Sequence, residues 1–190
     1  MTFRRSQLAR WLIVIPAAFA SSILAEAQPS SQHVQLAQVA GAAQPTLLGT
    51  YGEWGAYVGS SGTRKVCFAL AKPASSQTSP PNRPRDPAYM FISTRPAENV
   101  RNEVSIIIGY GFKPDADATV EIGSNKFAMY TQNDGAWIRN AAEEARMVDT
   151  MRKSGELVVK GTSARGTQTT DRYTLKGLGQ ALDRMAQECK

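Results

Sequence analysis

Residues 64–71 read Arg-Lys-Val-Cys-Phe-Ala-Leu-Ala, and no other stretch restricts the fold of this chain as much. Side chains alternate along a strand, so Val66, Phe68 and Leu70 share one face while Cys67, Ala69 and Ala71 share the other. Both faces are apolar, so the strand is expected to be buried on two sides. Strand-length segments divided by turn residues continue from there. Glu53–Val58 leads through Gly59-Ser60-Ser61-Gly62 into Arg64–Ala71, a candidate hairpin. Tyr89–Thr94 and Glu103–Gly109 follow, the latter with Val104, Ile106 and Ile108 on one face. Ala118–Ile122 and Lys126–Thr131 form a hairpin around Gly123-Ser124-Asn125, and Glu156–Thr162 pairs with Thr169–Leu175, which makes at least seven strands.

Two helices interrupt the pattern. Asn140 is a good N-cap with Glu143 three residues on, and Ala141, Ala145, Val148 and Met151 recur at helical spacing. Arg152 and Lys153 suit the last turn and Gly155 the stop. The second helix runs from about Leu178 to the end, with Leu178, Ala181, Leu182, Met185 and Cys189 on one face. The expected fold class is therefore mainly β: a β-sandwich-like domain of seven or more strands with two helices, one of them C-terminal.

The 190 residues suit one domain, which we place at 46–190. Residues 1–27 read as an export signal: Arg4, Arg5 and Arg10 precede the apolar run Trp11–Ala20, and Ala25-Glu26-Ala27 is a small-x-small cleavage pattern. The uninterrupted apolar stretch is well short of the ~20 residues of a spanning helix, so no transmembrane span is expected after cleavage. No cysteine lies near the cleavage site, which excludes a bacterial lipoprotein. Gln28–Pro45 has no charged residue, is rich in Gln, Ala, Ser and Pro, and reads as a flexible linker holding the only histidine, His33. The first 27 residues carry three arginines and one glutamate, so their removal lowers the net charge from +6 to +4. That balance, with export, argues against nucleic acid as a partner.

An exported chain with two cysteines, one on a buried strand and one on the inward face of a terminal helix, is expected to join them as Cys67–Cys189. The alternative, a reactive redox pair, normally needs close spacing such as C-x-x-C. A loop of more than 100 residues closed this way is worth up to about 4.7 kcal/mol by chain entropy, less any native strain.

The tests for catalysis fail one by one. Gly161-Thr162-Ser163-Ala164-Arg165-Gly166-Thr167-Gln168 begins like a phosphate loop, but Thr167-Gln168 stands where Lys and Ser or Thr are needed, and a strand follows where a helix should. The same run approaches a nucleophile elbow at Ser163, with Arg165 where Gly is required and no structured His to activate the hydroxyl. Glu143 and Glu144 are adjacent on a helix and point to different sides, and Asp115 and Asp117 lie on a loop, so neither pair makes an acid–base dyad. No residue cluster has metal-ligand spacing, and no cofactor is implied. An enzyme is not expected.

A binding surface is the better candidate. Lys72–Pro87 holds five prolines and little that could pair in a sheet, so it is expected to be a long surface loop exposing Arg83 and Arg85. Arg95–Arg101, with Arg95, Glu98 and Arg101, is a second exposed segment, either a binding face or a charge-paired loop. Arg64 and Lys65 extend the basic surface, with Tyr51, Trp54, Tyr57 and Tyr89 in the same half; the plainer account is scattered solvated charge over core aromatics. Ser163 and Arg165 join the candidate surface from the turn after Thr162.

Four runs carry a family likeness: KVCFALAKP (Lys65–Pro73), STRPAENVRNEVS (Ser93–Ser105), KGTSARGT (Lys160–Thr167) and DRYTLKG (Asp171–Gly177). In that order, over about Trp54–Cys189, the chain resembles the invasion-associated locus B family of alphaproteobacteria. The resemblance implies an exported envelope or periplasmic protein, in a family named for bacterial invasion of host cells, with paired cysteines matching Cys67 and Cys189. It implies no catalytic residue, because the family carries no established reaction.

Three functions are weighed. The first is a non-enzymatic envelope protein at the periplasm or outer-membrane surface, binding a host-cell or envelope component through Lys72–Pro87 and Arg95–Arg101. The second is a general periplasmic structural or stress-tolerance factor with no host partner. The third and weakest is a small hydrolase built around Ser163, Arg165 and Asp171.

Overall fold

The computed structural model describes residues 44–190; the expected signal peptide, nearly all of the linker, and His33 lie outside the described residues. The elements are β1 (Thr46–Tyr51), β2 (Trp54–Ser61), β3 (Arg64–Ala71), β4 (Ser75–Ser79), β5 (Tyr89–Arg95), β6 (Val100–Ile107), β7 (Ala118–Ile122), β8 (Asn125–Gln132), β9 (Gly135–Trp137), α1 (Ala141–Arg152), β10 (Glu156–Thr162), β11 (Gln168–Thr174) and α2 (Leu178–Glu188). The mainly β architecture with two helices, one C-terminal, is as the sequence leads one to expect.

All eleven strands belong to one antiparallel sheet in the order β1-β2-β3-β5-β6-β9-β8-β7-β10-β11-β4. The sheet curls so that its two halves share a single core. Trp54 on β2, near one edge, donates its indole N–H to the Thr174 carbonyl on β11, near the other, at 2.9 Å. The seam is tight beside it. Gly177, at φ 92°, brings its Cα so close to Tyr51 that an added Cβ would sit 2.0 Å from the Tyr51 carbonyl oxygen, so only glycine fits. Inward residues of β2, β3, β5, β6, β7, β8, β10 and β11 fill the core, with Trp54, Ile92, Ile106, Phe127, Met129 and Leu157 fully buried.

The helices close the core. Asn140 caps α1 by accepting the Glu143 amide at 2.8 Å, and Glu144 on the next position accepts the Val104 amide of β6 at 2.8 Å, which ties the helix to the sheet. Leu178, Ala181, Leu182 and Met185 bury the inward face of α2 over β1, β2 and β3. Cys189 is the residue after the helix rather than its last turn, yet it remains buried and is disulfide-bonded to Cys67 on β3, Cα to Cα 6.0 Å. Among the described residues, no helix is long and apolar enough to cross a membrane.

Two expectations are corrected, and the list of strands grows. Lys72–Pro87 is not wholly unpaired: Ser75–Ser79 forms β4, an edge strand laddered onto β11 from Ser75↔Arg172 to Ser79↔Gln168. It carries no apolar alternation because its side chains are polar and mostly exposed, and the prolines flank the strand without entering it. Two further strands, β1 and the three-residue β9, complete the sheet beyond the segments read from sequence. Finally, β3 is buried on one face only: Cys67, Ala69 and Ala71 enter the core, whereas Val66, Phe68 and Leu70 are half-covered. Aromatic neighbours supply that partial cover, with Tyr57 stacked on Phe68 at 5.1 Å and Phe91 beyond it at 5.9 Å.

Candidate functional site

After β3 the chain travels to the far edge of the sheet to lay down β4, then must return to the other half for β5. Residues 80–88 make that return across the seam where the two halves meet. Their prolines keep the segment out of the ladder, and Arg85 fastens it. One guanidinium nitrogen donates to the Ile108 carbonyl at 3.0 Å and to Asp171 Oδ2 at 2.8 Å; the other donates to Ser76 Oγ at 2.9 Å and to Asp171 Oδ1. The Asp171 side chain is completely buried and that of Arg85 is only 11% exposed. Arg85 was expected to be exposed on the loop; instead the buried carboxylate draws it in, since a buried charge is tolerable only when paired. The Asp86 amide adds a bond to the Gly109 carbonyl at 3.0 Å, and at Gly109, φ 82°, a Cβ would lie 2.0 Å from the Asp86 oxygen.

Opposite this segment stands the β10–β11 turn. Two bonds join Ser163 and Thr167: the Ser163 amide donates to the Thr167 carbonyl at 2.9 Å, and Ser163 Oγ accepts the Thr167 amide at 3.1 Å. The Ala164 amide reaches the Gly111 carbonyl at 2.9 Å, pinning the turn to the segment after β6. The phosphate-loop likeness of this run therefore resolves into a turn between two strands.

Between the two lies a cavity of about 590 Å3, lined by Arg83, Pro84 and Arg85 on one side, Ser163 to Thr167 on the other, and Thr78, Pro80, Tyr110, Gly111 and Thr169 around the remaining wall. Tyr110 passes over Gly161, where a Cβ would lie 2.7 Å from the phenol oxygen, and its hydroxyl shares a 2.6 Å hydrogen bond with Thr169 Oγ1. Burial pushes the Tyr110 phenol up from its ordinary range, so it stays a neutral group. Tyr173, two residues beyond Asp171 on the same inward face of β11, is buried with its hydroxyl unpartnered among the described residues. Burial, then the Asp171 charge, pushes that phenol up as well.

Of the residues singled out from sequence, Arg83, Arg85, Ser163 and Arg165 thus line one cavity. Arg95, Glu98 and Arg101 lie at the other end of the β5–β6 hairpin. There Arg95 bonds Glu98 at 2.8 Å and Glu103 at 3.1 and 2.9 Å, which raises its already high pKa, and Arg64 also approaches Glu98. Arg95 and Glu98 form the charge-paired loop that was one of the two readings, with Arg101 exposed beside them. Tyr110 and Thr169 were not anticipated; their loop and strand positions gave no sign that they face a common space.

Chemically the site offers guanidinium, hydroxyl and phenol groups over apolar walls, a binding rather than a proton-moving set. Ser163 Oγ is engaged as a turn acceptor and the nearby carboxylate is held by Arg85.

Fold and site together define a mainly β, disulfide-stapled domain with a cationic cavity at the seam of its sheet. Residues 59–186 match the family model described as Invasion associated locus B (IalB) protein, and the chain belongs to that family. It is not a known enzyme family. Comparison with curated proteins and with solved structures gave no match.

Proposed function

We propose that this chain is an exported, non-enzymatic binding module of the bacterial envelope that supports host-cell interaction through the cavity between residues 78–85 and 163–167. The observation that carries the reading is that Arg83, Arg85, Ser163 and Arg165, drawn from two distant segments, line one cavity of about 590 Å3. That volume lies within the usual range of small-molecule sites, and its wall combines apolar surface with a few fixed polar groups. The signal-like N-terminus supports export, and family membership supports a role in the envelope.

The test combines location with capture. Protease shaving of intact cells reports whether the protein is at the surface. Oxidised protein spanning residues 28–190 is then offered host-cell membranes and bacterial envelope extract side by side, with a Gly111→Leu variant as control. Gly111 lines the cavity and a Cβ there would meet nothing within 4 Å, so a larger side chain is added at the cavity wall without a backbone clash. Shaving and capture of a host component, lost in the variant, are the expected results. Protection from shaving with capture of envelope components alone would replace the host role with that of a periplasmic structural or stress-tolerance factor.

A further inference from the structure

We infer that the cavity takes a small organic anion, one or two carboxylate or phosphate groups carried on an apolar or ring-shaped body. This deepens the reading that the cavity is where the protein binds, and rests on it.

The inference begins with charge. Three arginines line the cavity and no carboxylate does. Arg85 is matched by Asp171 directly beneath, so the uncompensated charge belongs to Arg83 and Arg165. The rest of the surface shows how unusual that is. Of the eleven arginines among the described residues, eight are ion-paired within 4.0 Å. Arg83, Arg101 and Arg165 are the three that are not, and two of these three share one cavity.

Of the remaining polar side chains of the wall, four already bond within the protein, and the fifth, Thr167, is a neutral hydroxyl. Thr78 Oγ1 accepts the Arg83 amide at 3.2 Å, Thr169 Oγ1 and the Tyr110 hydroxyl bond each other, and Ser163 Oγ accepts from Thr167. The charged groups left for an occupant are therefore the two guanidinium forks, whose planar donors match the oxygens of a carboxylate or phosphate. The same bonds fix the backbone on which both arginines stand, so little ordering is needed on binding. The same wall carries apolar surface from Pro80, Pro84, the Tyr110 ring and Ala164, which suits a ligand with an apolar or ring body rather than a bare ion.

The experiment uses protein produced from the full-length sequence, titrated calorimetrically at low ionic strength with octyl phosphate, octanoate, inorganic phosphate and neutral octyl glucoside, all below micelle-forming concentrations. One site for octyl phosphate or octanoate is expected, with octyl glucoside at least tenfold weaker. The Arg83→Gln/Arg165→Gln double variant should weaken the anion at least tenfold with an unchanged melting temperature, each single variant should give part of that loss, and Arg101→Gln should stay within twofold. The single variants, at exposed side chains, keep the test decisive if the double variant folds poorly. Inorganic phosphate far weaker than octyl phosphate supports a headgroup-like ligand; equal binding overturns the apolar body. Binding that is equal for the neutral probe, or undiminished in the arginine variants, overturns the inference. Capture of a cell component that is sensitive to Gly111→Leu, with no anion binding, overturns the anion class while leaving the cavity as the binding site; loss of both removes the reading beneath it.

Discussion

Arg85 and Asp171, 86 residues apart, meet with each of two guanidinium nitrogens on one carboxylate oxygen, and the pair joins the segment before β5 to the far half of the sheet. Removing one partner would leave a charge in a site that water hardly reaches. Asp171→Asn is expected to destabilise by about 3 kcal/mol, and Arg85→Met by a similar amount, at the lower end of the range for breaking a buried pair. The double replacement Arg85→Met/Asp171→Leu should cost less than the sum of the singles. Urea midpoints for the four proteins give the comparison, and simple additivity would contradict the coupling.

The disulfide holds the chain end where helix propensity alone would not. Cys67→Ala/Cys189→Ala should lower stability by about 2–5 kcal/mol. Lys65 bonds the Glu188 side chain at 3.2 Å and its carbonyl at 3.0 Å next to the bridge, but this pair is exposed and cannot replace it. Hydrogen exchange should therefore speed up first in Leu178–Glu188 of the variant; uniform loss of protection across the sheet and α2 alike would show that the bridge acts on the whole fold instead.

Glu144 gives a pH dependence of known sign. Burial holds its carboxyl above the ordinary carboxylate value, partly opposed by the Val104 amide that it accepts. The folded protein therefore keeps this proton more readily than the unfolded chain, so the contribution of Glu144 to stability is full below the unfolded pKa and falls as pH rises through the folded one. Glu144→Gln can still accept the Val104 amide and does not titrate. The melting temperature of the variant minus that of the native protein should rise between pH 3.5 and pH 7; a flat or falling difference would contradict the assignment.

The sequence revealed strands where side chains alternate against a core and missed them where they do not. β5, β7 and β10 were placed within a residue because their inward positions are mostly apolar, and β11 because its β-branched and aromatic residues follow a turn. β4 has only Ser, Gln and Thr to show, and its pairing with β11 is a backbone relationship that leaves no apolar signal. The outer face of β3 misled because Phe68 finds its neighbours on the same surface, in Tyr57 and Phe91, rather than in a second layer. In the cavity, Arg83 and Arg165 could be read as exposed charge, but nothing local says that segments 82 residues apart face each other. One clue was present. Thr169, Asp171 and Tyr173 share the inward face of β11, and an aspartate there must find a cation; Arg85 is that cation.

Two exposed segments were candidates for binding, and the account assigns the role to the cavity rather than to the paired charges near Arg95. Photo-crosslinking in living cells decides between them most directly, with a benzoylphenylalanine at Ala164 on the cavity rim and, separately, at Arg101 on the other loop. Both positions are exposed. A discrete adduct from position 164, abolished by Arg83→Gln and absent from position 101, is the expected outcome. Adducts from position 101 with none from position 164 would place binding on the β5–β6 loop and contradict the account.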